Sequence, residues 1–561
     1  MNRSERRRSG KVQGTKGTTG PPPAELTSAL RLHQAGRWNE AESLYQAILT
    51  QAPELPDALH GYGLLLYQTG RLTPAAELLG EATELAPANP TFRFNHGVIL
   101  QRLGRLDDAL TAYRKAVELR PGYRDARANI GTVLFEQGRY QEAITLYDDL
   151  LRAEPQSAEL WNNLGAANKE LGRFDQAITA YQQALALKPA HVEARCNLGL
   201  VLAEQGRLDE AVTHFRDTLR ANPDSIKAHY DLAFTRLWQG RPEDAMAEFR
   251  RSAELKHHHR KAVGAKPIYH TRLKHDSEQI HYLLDKGRIS AGYRPYLDAL
   301  ERLRPVIRRR AGEKSWAMAS AEELRDISPS FNEFLYVADA PTLPGGALNP
   351  ALDVTAIETE WDNRYPEIMY IDQLLTEEAL ASLRRFCWES TIWKREYENG
   401  YMGAFLGDGF ACPLLLQIAE ELRVRFPRIF KQHRLMQSWS FKQDSEMKGL
   451  NLHADAAAVN LNFWITPDEA NLDPDRGGLI VWDKEAPKEW NFKDYNSSKN
   501  EPTVREFLRT SGAKAVSIPY RANRAVLFNS DVFHETDRAT FKTDYTSRRI
   551  NITLLYGRRS A

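Results

Sequence analysis

Two hydrophobic rhythms divide the chain. From about residue 24 to 258, apolar positions recur every three to four residues, which predicts amphipathic helices. A longer rhythm lies over the first. Gly36, Gly70, Gly104, Gly138, Gly172, Gly206 and Gly240 fall 34 residues apart, as do Ala41, Ala75, Ala109, Ala143, Ala177, Ala211 and Ala245. Pro53, Pro87, Pro121, Pro155, Pro189 and Pro223 keep the same step. One unit reads as a helix opening at Leu160-Trp161-Asn162-Asn163-Leu164-Gly165, a turn at Gly172-Arg173-Phe174-Asp175, and a second helix from Ala177 to Leu187. Glycine suits the turn, and proline closes the unit because it cannot continue a helix interior. The pattern predicts seven helix pairs over 24–258.

From about residue 430 the rhythm shortens to two. Val459 to Ile465, Gly477 to Trp482, Ala525 to Phe528 and Ile550 to Tyr556 read as short strands without long helices between them. That texture predicts a sandwich or barrel. Residues 259–345 lose both rhythms and read as a helical connector, marked by Leu273, Ile280, Leu283 and Leu284 and then by Leu297, Leu300 and Leu303. A docking element is the alternative for this stretch. Thr376 is the expected N-cap of an amphipathic helix with Leu380, Leu383 and Phe386 on one face. The expected organisation is a disordered basic tail over 1–23, an α-helical repeat array over 24–258, the connector over 259–345, and a β-rich domain over 346–561.

Charge and composition narrow the function classes. Of 561 residues, 75 are Lys or Arg and 74 are Asp or Glu, so there is no cationic surplus of the kind that drives nucleic-acid binding. Cys196, Cys387 and Cys412 lie far apart, which argues against a disulfide scaffold or a zinc ribbon. The basic residues before Pro21 are not followed by an apolar stretch, and no run is long enough to cross a membrane, so the expected compartment is the cytoplasm. Oligomeric state is left open. His257-His258-His259 reads as a solvated helix end.

The chemistry concentrates near the C-terminus. In His453-Ala454-Asp455 the first and third side chains share one side of an extended chain. His534 follows the strand-like Val526-Leu527-Phe528. Two histidines and one carboxylate match the facial triad of non-haem Fe(II) oxygenases. Strand parity puts Arg548 with Ile550, Ile552 and Leu554, and Arg549 with Asn551 and Thr553. Arg549 is the better pocket candidate, and its guanidinium suits a carboxylate cosubstrate. Structural roles for these residues, such as a core histidine or a turn-forming aspartate, remain the alternative.

The helical units resemble the tetratricopeptide repeat in period and pattern. Asn95, Asn129, Asn163 and Asn197, with Asp231 next in register, resemble the ladder lining the repeats of the O-linked N-acetylglucosamine transferases. That resemblance implies a concave face gripping the backbone of an extended protein or peptide partner. Solvation or packing between repeats is the alternative for these positions. Residues from about 366 to 558 resemble the 2-oxoglutarate- and Fe(II)-dependent oxygenases, in the prolyl 4-hydroxylase-like branch. The resemblance rests on His453-x-Asp455, Gly477-Gly478, Asn523 to Phe528, His534 and Arg549 to Leu554. It implies a double-stranded β-helix (jelly-roll) core with flanking helices. It implies His453, Asp455 and His534 as the iron ligands and catalytic centre, with Arg549 on the distal carboxylate of 2-oxoglutarate. Trp464 stands where related hydroxylases hold the cosubstrate with a tyrosine, with ordinary core packing as the alternative; strand alternation turns Asn460 and Asn462 the same way, and Asn462 and Thr553 complete the expected cosubstrate pocket. The implied cofactors are Fe(II), 2-oxoglutarate and O2, with ascorbate an optional reductant. Asp455 stands where halogenases of the family carry a small residue, which favours hydroxylation. Three functions follow as alternatives: a hydroxylase acting on a protein recruited by the repeats, an oxygenase acting on a small molecule or a glycan or lipid precursor, and a non-catalytic repeat scaffold whose β domain is inert or senses iron or oxygen.

Overall fold

A computed structural model describes residues 24–257, 266–397, 399–430, 433–444, 452–455, 457–487, 490, 496 and 500–558. The tail over 1–23 and residues His258 to Lys261 lie outside the described residues. The chain forms two compact units that divide between Leu171 and Gly172.

The first unit is a run of helix pairs: Ala24–Gln34 with Trp38–Gln51, Pro56–Gln68 with Leu72–Leu85, Pro90–Arg102 with Leu106–Leu119, and Arg124–Glu136 with Tyr140–Ala153, followed by Ala158–Glu170. Gly70 makes its turn at a φ of +80°, which side chains disfavour. A second glycine in the unit has a packing role. A Cβ on Gly131 would lie 2.5 Å from the Tyr147 ring, so the missing side chain lets the buried tyrosine close against the neighbouring helix.

The second unit opens with Phe174–Leu187, then pairs Val192–Glu204 with Leu208–Ala221 and Ile226–Trp238 with Pro242–His257. The last helix pair ends at His257 and shares a hydrophobic core with the β-rich region. Phe234 and Phe249 meet edge-on at 5.2 Å, and the same cluster holds Leu383, Phe386, Ile550, Ile552 and Leu554. His257 is not a solvated helix end. It is buried 4.0 Å from Asp408 and 5.1 Å from the Phe334 ring, and burial lowers its imidazole to about 3.

The stretch expected as a connector is a folded element. Strands β1 (Lys266–Tyr269) and β2 (Trp316–Ala319) pair antiparallel beside the helices His270–Asp285 and Arg294–Ala311, around Leu273, Ile280, Leu297 and Leu300. The first of these helices also docks on the rest of the unit. Gln279 donates to the carbonyls of Trp388 (3.1 Å) and Ser390 (3.0 Å), and Arg548 donates to Glu278 at 2.6 Å. The helix expected after Thr376 runs Glu377–Glu389, with the Thr376 hydroxyl accepting from the Ala379 amide.

The remaining strands are β3 (Ile368–Ile371), β4 (Arg395–Glu396), β5 (Met402–Phe405), β6 (Leu435–Gln443), β7 (Val459–Trp464), β8 (Leu479–Glu485), β9 (Ala515–Ile518), β10 (Ala525–Asn529), β11 (Val532–Thr536) and β12 (Arg549–Tyr556). They form two antiparallel sheets, ordered β3-β10-β7-β12-β6-β5-β4 and β11-β8-β9. Trp464, Val526 and Phe528 of the large sheet pack with Leu479, Val481, Ile518 and Val532 of the small one. The opposite face, with Leu461, Phe463 and Ile552, packs on helices. Among the described residues no helix is long and apolar enough to cross a membrane.

Candidate metal centre

Strand β12 divides its side chains between two environments. Ile550, Ile552 and Leu554 enter the core beneath the helices, while Arg549, Asn551 and Thr553 line a small polar pocket between the sheets. Across the ladder Asn551 pairs with Phe441 and Trp464, and Thr553 pairs with Trp439 and Asn462. His453, Asp455, Leu479, His534 and Thr536 complete the lining.

His453 and His534 form an isolated antiparallel bridge. Each backbone amide donates to the other residue's carbonyl, at 3.0 and 2.8 Å, and the rings lie 4.3 Å apart. Asp455 Oδ2 is 3.5 Å from His534 Nε2. One ligand atom from each of His453, Asp455 and His534 lies within 4.8 Å of the others. Burial alone would raise the Asp455 carboxyl. The hydrogen bond and charge of His534, the charge of His453 and a hydrogen bond from Asn460 outweigh it, so the group sits below its ordinary value. The centre therefore offers two imidazole nitrogens and one carboxylate, a donor set that fits a divalent first-row metal with open positions.

Arg549 lies beside this set. Its Nε donates to the Gly477 carbonyl at 2.7 Å and its Nη2 to the Gly478 carbonyl at 3.3 Å. Burial lowers the guanidinium to about 10. Its Nη1 has no partner among the described residues, and neither has the Nε1 of the fully buried Trp464. Two orphaned buried donors on the pocket wall fit an anionic ligand, because buried polar groups left unpaired are costly. The glycine pair is required by space as well as by its carbonyls: a Cβ on Gly478 would stand 1.9 Å from the Ile518 carbonyl oxygen. Arg548 points away and pairs with Glu278 and Asp444.

The structure thus brings His453, Asp455, His534, Arg549, Trp464, Asn462 and Thr553 to one pocket. The repeat positions lie on separate helices, and each is half-buried. Asn95 Nδ2 is 2.8 Å from His60 Nε2, and Asn129 donates to the Tyr113 hydroxyl at 3.2 Å. Asn163 lies on Ala158–Glu170 and Asn197 on Val192–Glu204, while Asp231 accepts from Lys227 at 2.5 Å. Part of the donor capacity along these positions is therefore already used within the chain. Sequence reasoning missed Trp439, Phe441, Leu479 and Thr536. The aromatic alternation Trp439-Ser440-Phe441 in β6 carries a period-two signal that would have found the first two.

Tetratricopeptide repeat family models match residues 74–124, 94–158, 128–170 and 162–226, and 32–93 and 202–265. Residues 32–265 carry tetratricopeptide repeats. Among solved structures, these repeats are similar to the MamA protein, at 26% identity over 30% of this chain and 91% of that one with a TM-score of 0.27. A tetratricopeptide repeat protein from Parabacteroides merdae is 16% identical over 42% of this chain and 93% of that one, with a TM-score of 0.38. YrrB, described as a tetratricopeptide protein with an unusual peptide-binding site, is 27% identical over 33% of this chain and 95% of that one, with a TM-score of 0.27. No curated protein matches the chain. The tetratricopeptide repeats make this chain a protein-interaction scaffold.

Proposed function

We propose that the chain is an Fe(II)- and 2-oxoglutarate-dependent oxygenase that hydroxylates a protein or peptide recruited by its tetratricopeptide repeats. The observation that carries this reading is the convergence of His453, Asp455 and His534 on one point beside a buried arginine with a donor unused among the described residues. Strand order supports a double-stranded β-helix. After β6 in the large sheet, His453 bridges to β11 of the small sheet, and the chain then passes to β7 (large), β8 and β9 (small), β10 (large), β11 (small) and β12 (large). In this reading His453, Asp455 and His534 hold Fe(II), and Arg549 receives a carboxylate of 2-oxoglutarate with Trp464 Nε1 as a further donor. When bound, the metal would activate O2, which supplies the oxidising power for hydroxylating an unactivated C–H bond, while 2-oxoglutarate would supply two electrons and leave as succinate and CO2. The chain's own residues orient the two groups. The apolar layer of Leu479, Val481, Phe528 and Val532 keeps water from their surroundings.

A second reading, a non-catalytic scaffold, is favoured by the family matches, all of which lie within 32–265. Turnover separates the two. The purified full chain with Fe(II) should convert 2-oxoglutarate to succinate, with +16 Da appearing on a captured protein, and Asp455→Ala should abolish both. Metal binding without succinate formation in the presence of any protein extract would leave the scaffold reading standing.

A further inference from the structure

One row of buried polar side chains runs from the arginine end of the pocket to the metal ligand. Asn551 Nδ2 donates to Thr553 Oγ1 at 3.4 Å, and Thr553 Oγ1 donates to Asn462 Oδ1 at 2.5 Å. Asn462 Nδ2 donates to Asn460 Oδ1 at 2.5 Å, and Asn460 Nδ2 donates to Asp455 Oδ2 at 2.5 Å. Every member is buried, and the first three bonds join same-face or cross-strand neighbours on β7 and β12. The direction of the row is fixed from the anionic end. A carboxylate only accepts, so Asn460 must turn its NH2 toward Asp455 and its oxygen toward Asn462. Asn462 must then offer NH2 to Asn460 and oxygen to Thr553, whose single hydroxyl proton is thereby committed. No carboxamide in the row can flip without setting two acceptors face to face.

We infer that Asn551, Thr553, Asn462 and Asn460 form a directional hydrogen-bond relay that fixes Asp455 as a metal ligand through one oxygen. Asn460 is its principal positioning residue. Asp455 Oδ2 carries the Asn460 bond and faces His534, so the carboxylate cannot rotate freely to chelate with both oxygens. The inference rests on the metal-centre reading above; it gives Asn460 and Asn551 a role there and gives Asn462 and Thr553 a second one beside the expected cosubstrate pocket. The relay also ties the orientation of the metal ligand to β12, the strand that carries Arg549.

The test is Co(II) binding to the full chain, followed by isothermal titration and by the visible d–d spectrum, with no turnover required. Asn460→Ala should weaken Co(II) binding by about 10- to 100-fold, the usual effect of removing a group that orients a ligand, and should shift the spectrum. Thr553→Val keeps the shape but removes the hydroxyl three bonds from Asp455. It should weaken binding in the same direction, and Thr553→Ser should restore it. Wild-type affinity and spectrum in a folded Asn460→Ala protein would overturn the relay alone. If Asn460→Ala does not fold, unchanged binding in Thr553→Val overturns it. Absence of Co(II) binding by the wild type would overturn the metal centre itself, and the relay with it.

Discussion

His275 gives a direct measure of what the docked helix contributes. It lies on His270–Asp285 with no exposed surface, and its ring meets Trp393 at 6.3 Å and Tyr545 at 5.9 Å. Burial, with the nearby Lys442 and Arg548 cations, lowers the imidazole from 6.5 to about 3 despite the raising effect of its hydrogen bond to Asp276. Its Nε2 has no partner among the described residues, so a proton there would be buried and unsatisfied. The unfolded chain takes up that proton near pH 6.5, while the folded chain refuses it until about pH 3. The stabilisation is therefore full above 6.5 and is lost as the pH falls toward 3. Between pH 7 and pH 5 this one group should cost about 2 kcal/mol of unfolding free energy. His257, also lowered to about 3, adds in the same direction, whereas Glu396, raised to about 7 by burial, opposes both across this window. The comparison with His275→Gln isolates the group, since glutamine is neutral at both pH values and can still donate to Asp276. Urea unfolding followed by tryptophan fluorescence at the two pH values should show wild type losing about 2 kcal/mol more than the variant. Parallel losses in the two proteins would refute the reasoning.

Other outcomes follow from single contacts. Phe249→Ala empties a fully buried site between Phe234 and Tyr230, and should cost about 3–5 kcal/mol in urea unfolding; a loss below about 1 kcal/mol would contradict the shared core. Gly478→Ala drives a Cβ into the Ile518 carbonyl and should destabilise by about 1–3 kcal/mol or more, read as a fall in thermal midpoint. Arg549→Lys removes a forked donor, and should weaken 2-oxoglutarate binding by about 10-fold or more, the loss of about 1.5–3 kcal/mol from a charged hydrogen bond, measured by isothermal titration. Equal affinity in the two proteins would remove Arg549 from the anion site.

The sequence was most legible where a short-range rule governs the structure. The 34-residue spacing located the helix pairs, because each unit meets the same demands for a turn glycine and a close-packing small residue. Strand parity separated Arg549 from Arg548, because successive side chains of an extended chain face opposite sides of the sheet. Parity did not show that Arg548 would find Glu278 and Asp444, since those partners lie 270 and 104 residues away in sequence. Over 259–345 the sequence left a connector and a docking element open for a related reason. The helix His270–Asp285 buries Arg272, His275, Asp276 and Gln279, and the carbonyls that Arg272 and Gln279 reach lie 59 and 109 residues on, at Phe331 and Trp388. Asn460 shared a face with Asn462 on parity, but its bond to Asp455 depends on how the chain returns from the His453 bridge, and no spacing encodes that.

An array of stacked repeats has an end problem. Its last helix pair offers the apolar surface that another repeat would cover, and such arrays ordinarily need a terminal repeat with a polar outer face. Here Phe234, Phe249, Trp238 and Met246 are covered by the sheet-bearing part of the same unit, with Lys256 and Arg395 both donating to the buried Asp408. That arrangement constrains how the protein could have changed over evolutionary time. Duplication or loss of a 34-residue segment would be tolerated among the earlier repeats, where each neighbour interface resembles the next. At the last pair the same event would have to rebuild an interface that has no second copy among the described residues. The final repeat is thus an anchored lineage of its own, free to diverge only in step with the strands it covers.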